Sequence, residues 1–175
     1  TCFVKVTFHY NAVKWHSSTF YETTKIIRSV RMFEKILYPT DFSEVSKKAF
    51  DVVKQLKDAG AKEVIVVHVI DSRFFDAMAW YATKNLADIE VDLVDVVKRE
   101  IDSIEEGLRE TGFKVRVRIE KGVPASEILR AAKEENVSVI VIGSHGMSNI
   151  QEMLMGSVSE KVIRRSEDLV LVVKR

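Results

Sequence analysis

Two stretches of this 175-residue sequence carry residue types and spacings suited to holding a ligand, the first of them an anion. The first is Gly143-Ser144-His145-Gly146, followed after nine residues by Gly156-Ser157. Glycines let a backbone adopt positive φ and approach a ligand with no Cβ in between. Successive N–H groups in such a turn can form an anion-binding nest. Ser157-Val158-Ser159-Glu160 has the form of a capping box, which places a helix start just after Gly156. The N–H groups of that first turn, and the positive end of the helix dipole, would face a phosphate. The second stretch is Pro39-Thr40-Asp41, a polar turn closing an apolar run. The usual P-loop lysine is missing, and the glycines follow a late strand rather than the first one. On these residues alone, a phosphate site and a purely structural tight turn with a capped helix both fit.

The elements that must position these residues alternate in type. Glu34–Pro39 is a short apolar run and reads as a buried strand. Asp41 and Ser43 are both suitable N-caps for a helix over 44–57, where Val45, Ala49, Val52, Val53 and Leu56 fall at helical spacing before Gly60. Glu63–Ile70 is nearly continuous in β-branched residues, as expected of a strand covered on both faces. Residues 71–85 mix aromatic and polar types and fit a loop, a lid or the first turns of a helix. From Leu86 to Glu110, Ile89, Leu93, Val96, Val97, Ile101, Ile104 and Leu108 recur every three or four residues, the mark of a long amphipathic helix ended near Gly112. Phe113–Lys121 alternates as a half-exposed edge strand does. Pro124 opens a further helix, Val137–Ile142 is a buried strand, Ser157–Arg165 a helix and Leu169–Val173 the last strand. This βαβ alternation predicts an α/β fold with a parallel sheet and right-handed crossovers. In such a sheet, ligands bind beyond the carboxyl ends of the strands where the order reverses.

The strand followed by Gly143-x-x-Gly146, nine residues and Gly156-Ser157 resembles the nucleotide-binding motif of the universal stress protein family. The opening M-F-E-K-I-L-Y-P-T-D-F-S, the strand V-I-V-V-H-V-I-D and the closing V-L-V-V are similar to that family as well, so the resemblance spans 32–175. It implies a Rossmann-like open five-stranded parallel sheet, strand order 3-2-1-4-5, with helices on both faces. It also implies an adenine nucleotide, ATP in the first place. Pro39, Thr40 and Asp41 would lie beside the adenine or ribose, and Val69 would meet the base through its backbone. Ile142 and Gly143 would lie near the sugar, with Ser144 and His145 in the same loop. Gly146, Gly156, Ser157 and Val158 would hold the phosphates. Mg²⁺ or Mn²⁺ would ride mainly on the phosphates, as such ions commonly do. Members of this ATP-binding type act as stress-response or signalling switches rather than fast enzymes. The resemblance further implies a homodimer through Leu169–Val173, whose unpaired edge would otherwise be a liability. Two positions depart from the family pattern: Met147 replaces a basic or polar residue after the second glycine, and Leu169 a proline before the last strand.

Other residues admit plainer roles. Asp41 can cap the first helix, His145 can be an exposed loop histidine, and His68, inside an apolar strand, a satisfied core histidine. Ser144 and Ser148 suit phosphate bonds or local caps. Met153, Leu154 and Met155 suit packing against the core or a partner, and Trp80 and Tyr81 a lid or the core. The four histidines have no zinc-type spacing. A net charge of +1 gives no global basic field for nucleic acid, and no apolar run approaches the ~20 residues that cross a bilayer. Cys2 is the only cysteine, which suits a reducing cytoplasm. Residues 1–31 carry five basic side chains against Glu22, begin with Thr and have no clear period. They read as an extension, disordered or loosely helical or else not native to the domain, with a transit peptide as the other reading. No general base or P-loop lysine is evident, so turnover would be slow at most. The two competing functions are a slow metal-dependent ATPase or phosphoryl-transfer enzyme, and an interaction module with a vestigial site.

Overall fold

The computed structural model describes residues 5–6, 33–73, 86–146 and 155–174, and for 5–6 and 86–94 the backbone alone. The elements run β1 (Lys5–Val6), β2 (Lys35–Pro39), α1 (Glu44–Gln55), β3 (Glu63–Asp71), α2 (Leu86–Glu110), β4 (Lys114–Gly122), α3 (Pro124–Glu135), β5 (Val139–Gly143), α4 (Ser157–Arg165) and β6 (Leu169–Val173). The sheet order is β1-β6-β5-β2-β3-β4. All pairings from β6 across to β4 are parallel. The five strands of the domain thus follow the expected order 3-2-1-4-5. The order reverses between β2 and β5, where Leu37 pairs with both Ile65 and Ile140.

Lys5 and Val6 form a short strand, antiparallel to β6, opposite Val172 and Leu171. The sheet therefore has six strands among the described residues. The outer edge of Leu169–Val173, expected to pair with a second copy of the chain, is occupied at two positions. Two residues are too few to show a strand period, so this pairing left no mark in the sequence pattern.

Each strand sends alternate residues to opposite faces. Ile36, Tyr38, Val64, Val66, Val139 and Val141 join Val53, Val97, Ile101 and Leu108 of α1 and α2 on one face. Leu37, Ile65, Val67, Ile140 and Ile142 join Ile128, Ala131 and Val162 of α3 and α4 on the other. Covering both faces is what makes the central strands continuous apolar runs. The helices end as their sequences direct: Gly60 and Gly112 take φ of 94° and 86°, and Asn136 caps α3 in the left-handed region. At the other sheet edge, β4 is blunted by charge. Arg116 bonds Glu63 of β3, and Arg118 bonds Glu120 and Glu134. Among the described residues no helix is long and apolar enough to cross a membrane.

Candidate functional site

A cavity of about 530 Å³ opens at the carboxyl ends of β2, β3 and β5, at the point where the strand order reverses. Of the twelve residues singled out in the sequence, eleven line it: Pro39, Thr40, Asp41, Val69, Ile142, Gly143, His145, Gly146, Gly156, Ser157 and Val158. Ser144 does not. It is 1% exposed beneath the loop, its N–H bonded to Val173 O and its hydroxyl 2.9 Å from His145 Nδ1. His145 is half-buried rather than fully exposed. Met147, Ser148, Met153 and Leu154, and with them Trp80 and Tyr81, lie outside the described residues. Met155 packs against the α3–α4 face of the core.

The turn after β2 is fastened by hydroxyls. Thr40 is buried, and its Oγ1 accepts from Phe42 N–H (3.1 Å) and Ser46 Oγ (2.8 Å). Tyr38 Oη donates to Ser46 O at 2.9 Å. Thr40 therefore builds the turn, and its hydroxyl is already engaged. Ser43, not Asp41, caps α1, its side chain accepting from Ser46 N–H. Asp41 Oδ1 accepts from Ser43 N–H at 3.1 Å. Its other oxygen, Oδ2, would lie 2.5 Å from a Cβ at Gly146, so Asp41 spans from the first turn to the second.

The glycines owe their identity to close approach. None of Gly143, Gly146 and Gly156 has positive φ, contrary to expectation. A Cβ at Gly143 would meet Val45 Cγ1 at 3.1 Å, Val45 C at 3.2 Å and Ser46 N at 3.3 Å, because α1 begins directly over the end of β5. Gly143→Ala is therefore expected to lower stability by about 1–3 kcal/mol through overpacking, measured by urea unfolding. Gly156 packs on the loop, its N–H donating to Ser144 O at 2.7 Å.

The capping box is not formed. Gly156 is the N-cap of α4, with φ −71° and ψ 150°, and Ser157 is already the first helical residue. The N-cap glycine has no side chain to bond the first turn. Gly156, Ser157 and Val158 line the cavity, so the N-terminus of α4 borders it, the position from which a helix holds an anion. Two residues past Ser157, the buried Ser159 donates from Oγ to Gly143 O at 2.7 Å and pins α4 to the end of β5. Sequence reading passed over Ser159, although a serine two residues into a helix, among apolar neighbours, is a signal of such an inward bond.

His68, expected as a core residue, also lines the cavity. Burial pushes its imidazole below the ordinary value of 6.5, against the bond to Thr40 O and the charge of Asp41, which pull it up. The unfolded chain thus binds the proton more tightly. The stability this contributes is complete above pH 6.5 and is lost as pH falls through the lowered native value. Melting temperatures between pH 7.5 and 5.5 are expected to fall more steeply for the native chain than for His68→Asn. At the mouth, Arg73 pairs with Asp71, Nε to Oδ1 at 2.9 Å, and is the only Lys or Arg among the described residues lining the cavity.

The profile of the universal stress protein family matches residues 32–174. Universal stress protein MJ0577 of Methanocaldococcus jannaschii is 41% identical over 156 residues, which cover 82% of this chain and 96% of that one. Universal stress protein YxiE of Bacillus subtilis is 34% identical, covering 82% of this chain and all of its own length. The solved structure of MJ0577 superposes with a TM-score of 0.74 at 42% identity, over 82% of this chain and 97% of that one. Two further structures share the fold: a universal stress protein in complex with cAMP (TM-score 0.53, 23% identity, 81% of this chain and 97% of that one) and one from Arabidopsis thaliana with AMP bound (0.52, 18%, 81% and 91%). A family profile matched over residues 32–174, 41% identity across nearly the whole of a relative and a shared fold make this chain a member of the universal stress protein family.

Proposed function

We propose that this chain binds ATP or a closely related adenine nucleotide in the cavity beyond β2 and β5, and that occupancy sets the conformation or partner choice of a stress-response switch. The observation that carries the reading is the start of α4: a helix N-terminus with a glycine N-cap, beside the Gly146 turn and lining a cavity of nucleotide size. Pro39, Val69, Ile128 and Ile142 give apolar walls for a base, Asp41 an acceptor for a sugar hydroxyl, and Gly146, Gly156, Ser157 and Val158 backbone donors for phosphates. The AMP and cAMP held by two proteins of the same fold support this class of ligand.

A divalent cation, Mg²⁺ or Mn²⁺, fits this site only as a passenger of the phosphates. Among the described residues no group of three His, Cys, Asp or Glu is placed to hold one. Arg73, the one Lys or Arg among the described lining residues, is already paired, so the site as described favours binding over phosphoryl transfer. Mass spectrometry of nucleotide released by denaturing the purified protein, with calorimetric titration of the emptied protein, tests the reading. About one adenine nucleotide per chain supports it. No bound nucleotide and no titratable heat would point to an interaction module, and metal-dependent turnover lost in Gly146→Val to a slow ATPase.

We also place a homodimer contact on the β6 edge, in competition with β1. Removing residues 1–31 is then expected to increase the dimer fraction in sedimentation at micromolar concentrations. A monomer in both forms would exclude the contact.

A further inference from the structure

Phe42 is the one aromatic residue among the described ones with φ in the left-handed region, at 64°. A bulky residue persists there only when its surroundings fix it. Three contacts do so. The Phe42 N–H donates to Thr40 Oγ1, the Phe42 ring stacks on His68 with centroids 4.6 Å apart and planes at 21°, and His68 Nδ1 lies 2.9 Å from Thr40 O. His68 follows Val67, which pairs with Pro39 at the end of the β2–β3 ladder. It therefore reaches from β3 to the turn that leaves β2.

The chemistry of the last contact is fixed by its acceptor. A carbonyl oxygen has no proton to give, so Nδ1 must donate, and the neutral ring is held as the Nδ1–H tautomer. Thr40 O and Phe42 flank Asp41. What holds both therefore sets the direction in which Asp41 points, with Oδ1 on Ser43 N–H and Oδ2 against Gly146.

We infer that His68 is a positioning residue, whose Nδ1–H to Thr40 O holds the turn that lays Asp41 across the cavity onto Gly146. The inference rests on the nucleotide reading only for its binding measurement. Three substitutions separate ring from donor. His68→Asn keeps a donor where Nδ1 stood, His68→Phe keeps a stacking ring without a donor, and His68→Ala keeps neither.

The expected result is an ATP Kd raised about tenfold in His68→Ala and His68→Phe, and restored to within about threefold by His68→Asn. A ring that merely fills space would give the opposite order, with Phe near native and Asn impaired; that order, or equal affinity in all three, overturns the inference. Nitrogen-15 spectra of the native protein without nucleotide provide a second test. Nδ1 is expected to carry the proton at neutral pH, and the Gly146 amide to shift in His68→Phe but not in His68→Asn. A proton on Nε2 alone, or an unmoved Gly146 amide in His68→Phe, would overturn it as well. Failure of native protein to bind ATP, with these spectra as expected, would count against the nucleotide reading and leave the positioning role standing.

Discussion

Gly146→Val is expected to raise the Kd for ATP by at least about 30-fold, roughly 2 kcal/mol of binding free energy, while the protein remains folded. The nearest atom to a new Cβ is Asp41 Oδ2 at 2.5 Å, the mobile end of a side chain in a half-buried turn. The fold can accommodate valine by moving that carboxylate, at small cost to the core. The site cannot. Asp41 is pushed from its place against Gly146, and branched methyl groups enter the cavity beside the α4 N-terminus. Calorimetric titration alongside a thermal melt separates the two effects. A lowered melt with unchanged affinity in the residual folded protein would show that Gly146 serves only the loop.

Leu37→Ala is expected to lose about 2–5 kcal/mol of folding stability, the range for a fully buried leucine truncated in a core that relaxes only partly. Leu37 is 0% exposed, lies in the central strand, and pairs with Ile65 on one side and Ile140 on the other. Its face is packed by Ile128, Ala131 and Val162 of α3 and α4. For a domain of this size, the melting temperature falls by roughly 10 °C. Under the proposed function, nucleotide would raise the melt of both proteins by mass action, because only the folded state has the cavity. A loss below about 1 kcal/mol would mean that the centre of the sheet is packed less tightly than its burial indicates.

The architecture was legible because burial on both faces writes itself into composition. Val64, Ile65, Val66 and Val67 are all buried, and no amphipathic alternation competes with that run. Helix ends were legible where one residue dictates the backbone, as at Pro124 and Gly112. The site was legible in its membership and less so in its reasons. Gly143 reads as a ligand-approach glycine, yet its hydrogen faces Val45, a neighbour almost one hundred positions away that local spacing cannot reveal. Ser157 reads as an N-cap, but Gly156 takes the extended conformation one residue earlier, so the N-cap is a glycine with no side chain to bond the first turn. His68 looks like core because five apolar residues precede or flank it; its bond to Thr40 exists only once β2 and β3 are paired. The two-residue strand β1 depends wholly on the exposed edge of β6 and carries no local signal.

The central claim, that an adenine nucleotide lies across the ends of β2 and β5 with its phosphates on the α4 N-terminus, is tested most directly by following the backbone amide resonances of nitrogen-15-labelled protein during titration with Mg²⁺ and ATP. The account predicts saturable shifts largest at Gly146, Gly156, Ser157 and Val158, with smaller ones at Asp41 and Val69, and none beyond background along the outer half of β4. Shifts absent at saturating ATP, or centred on residues outside the cavity, would contradict it.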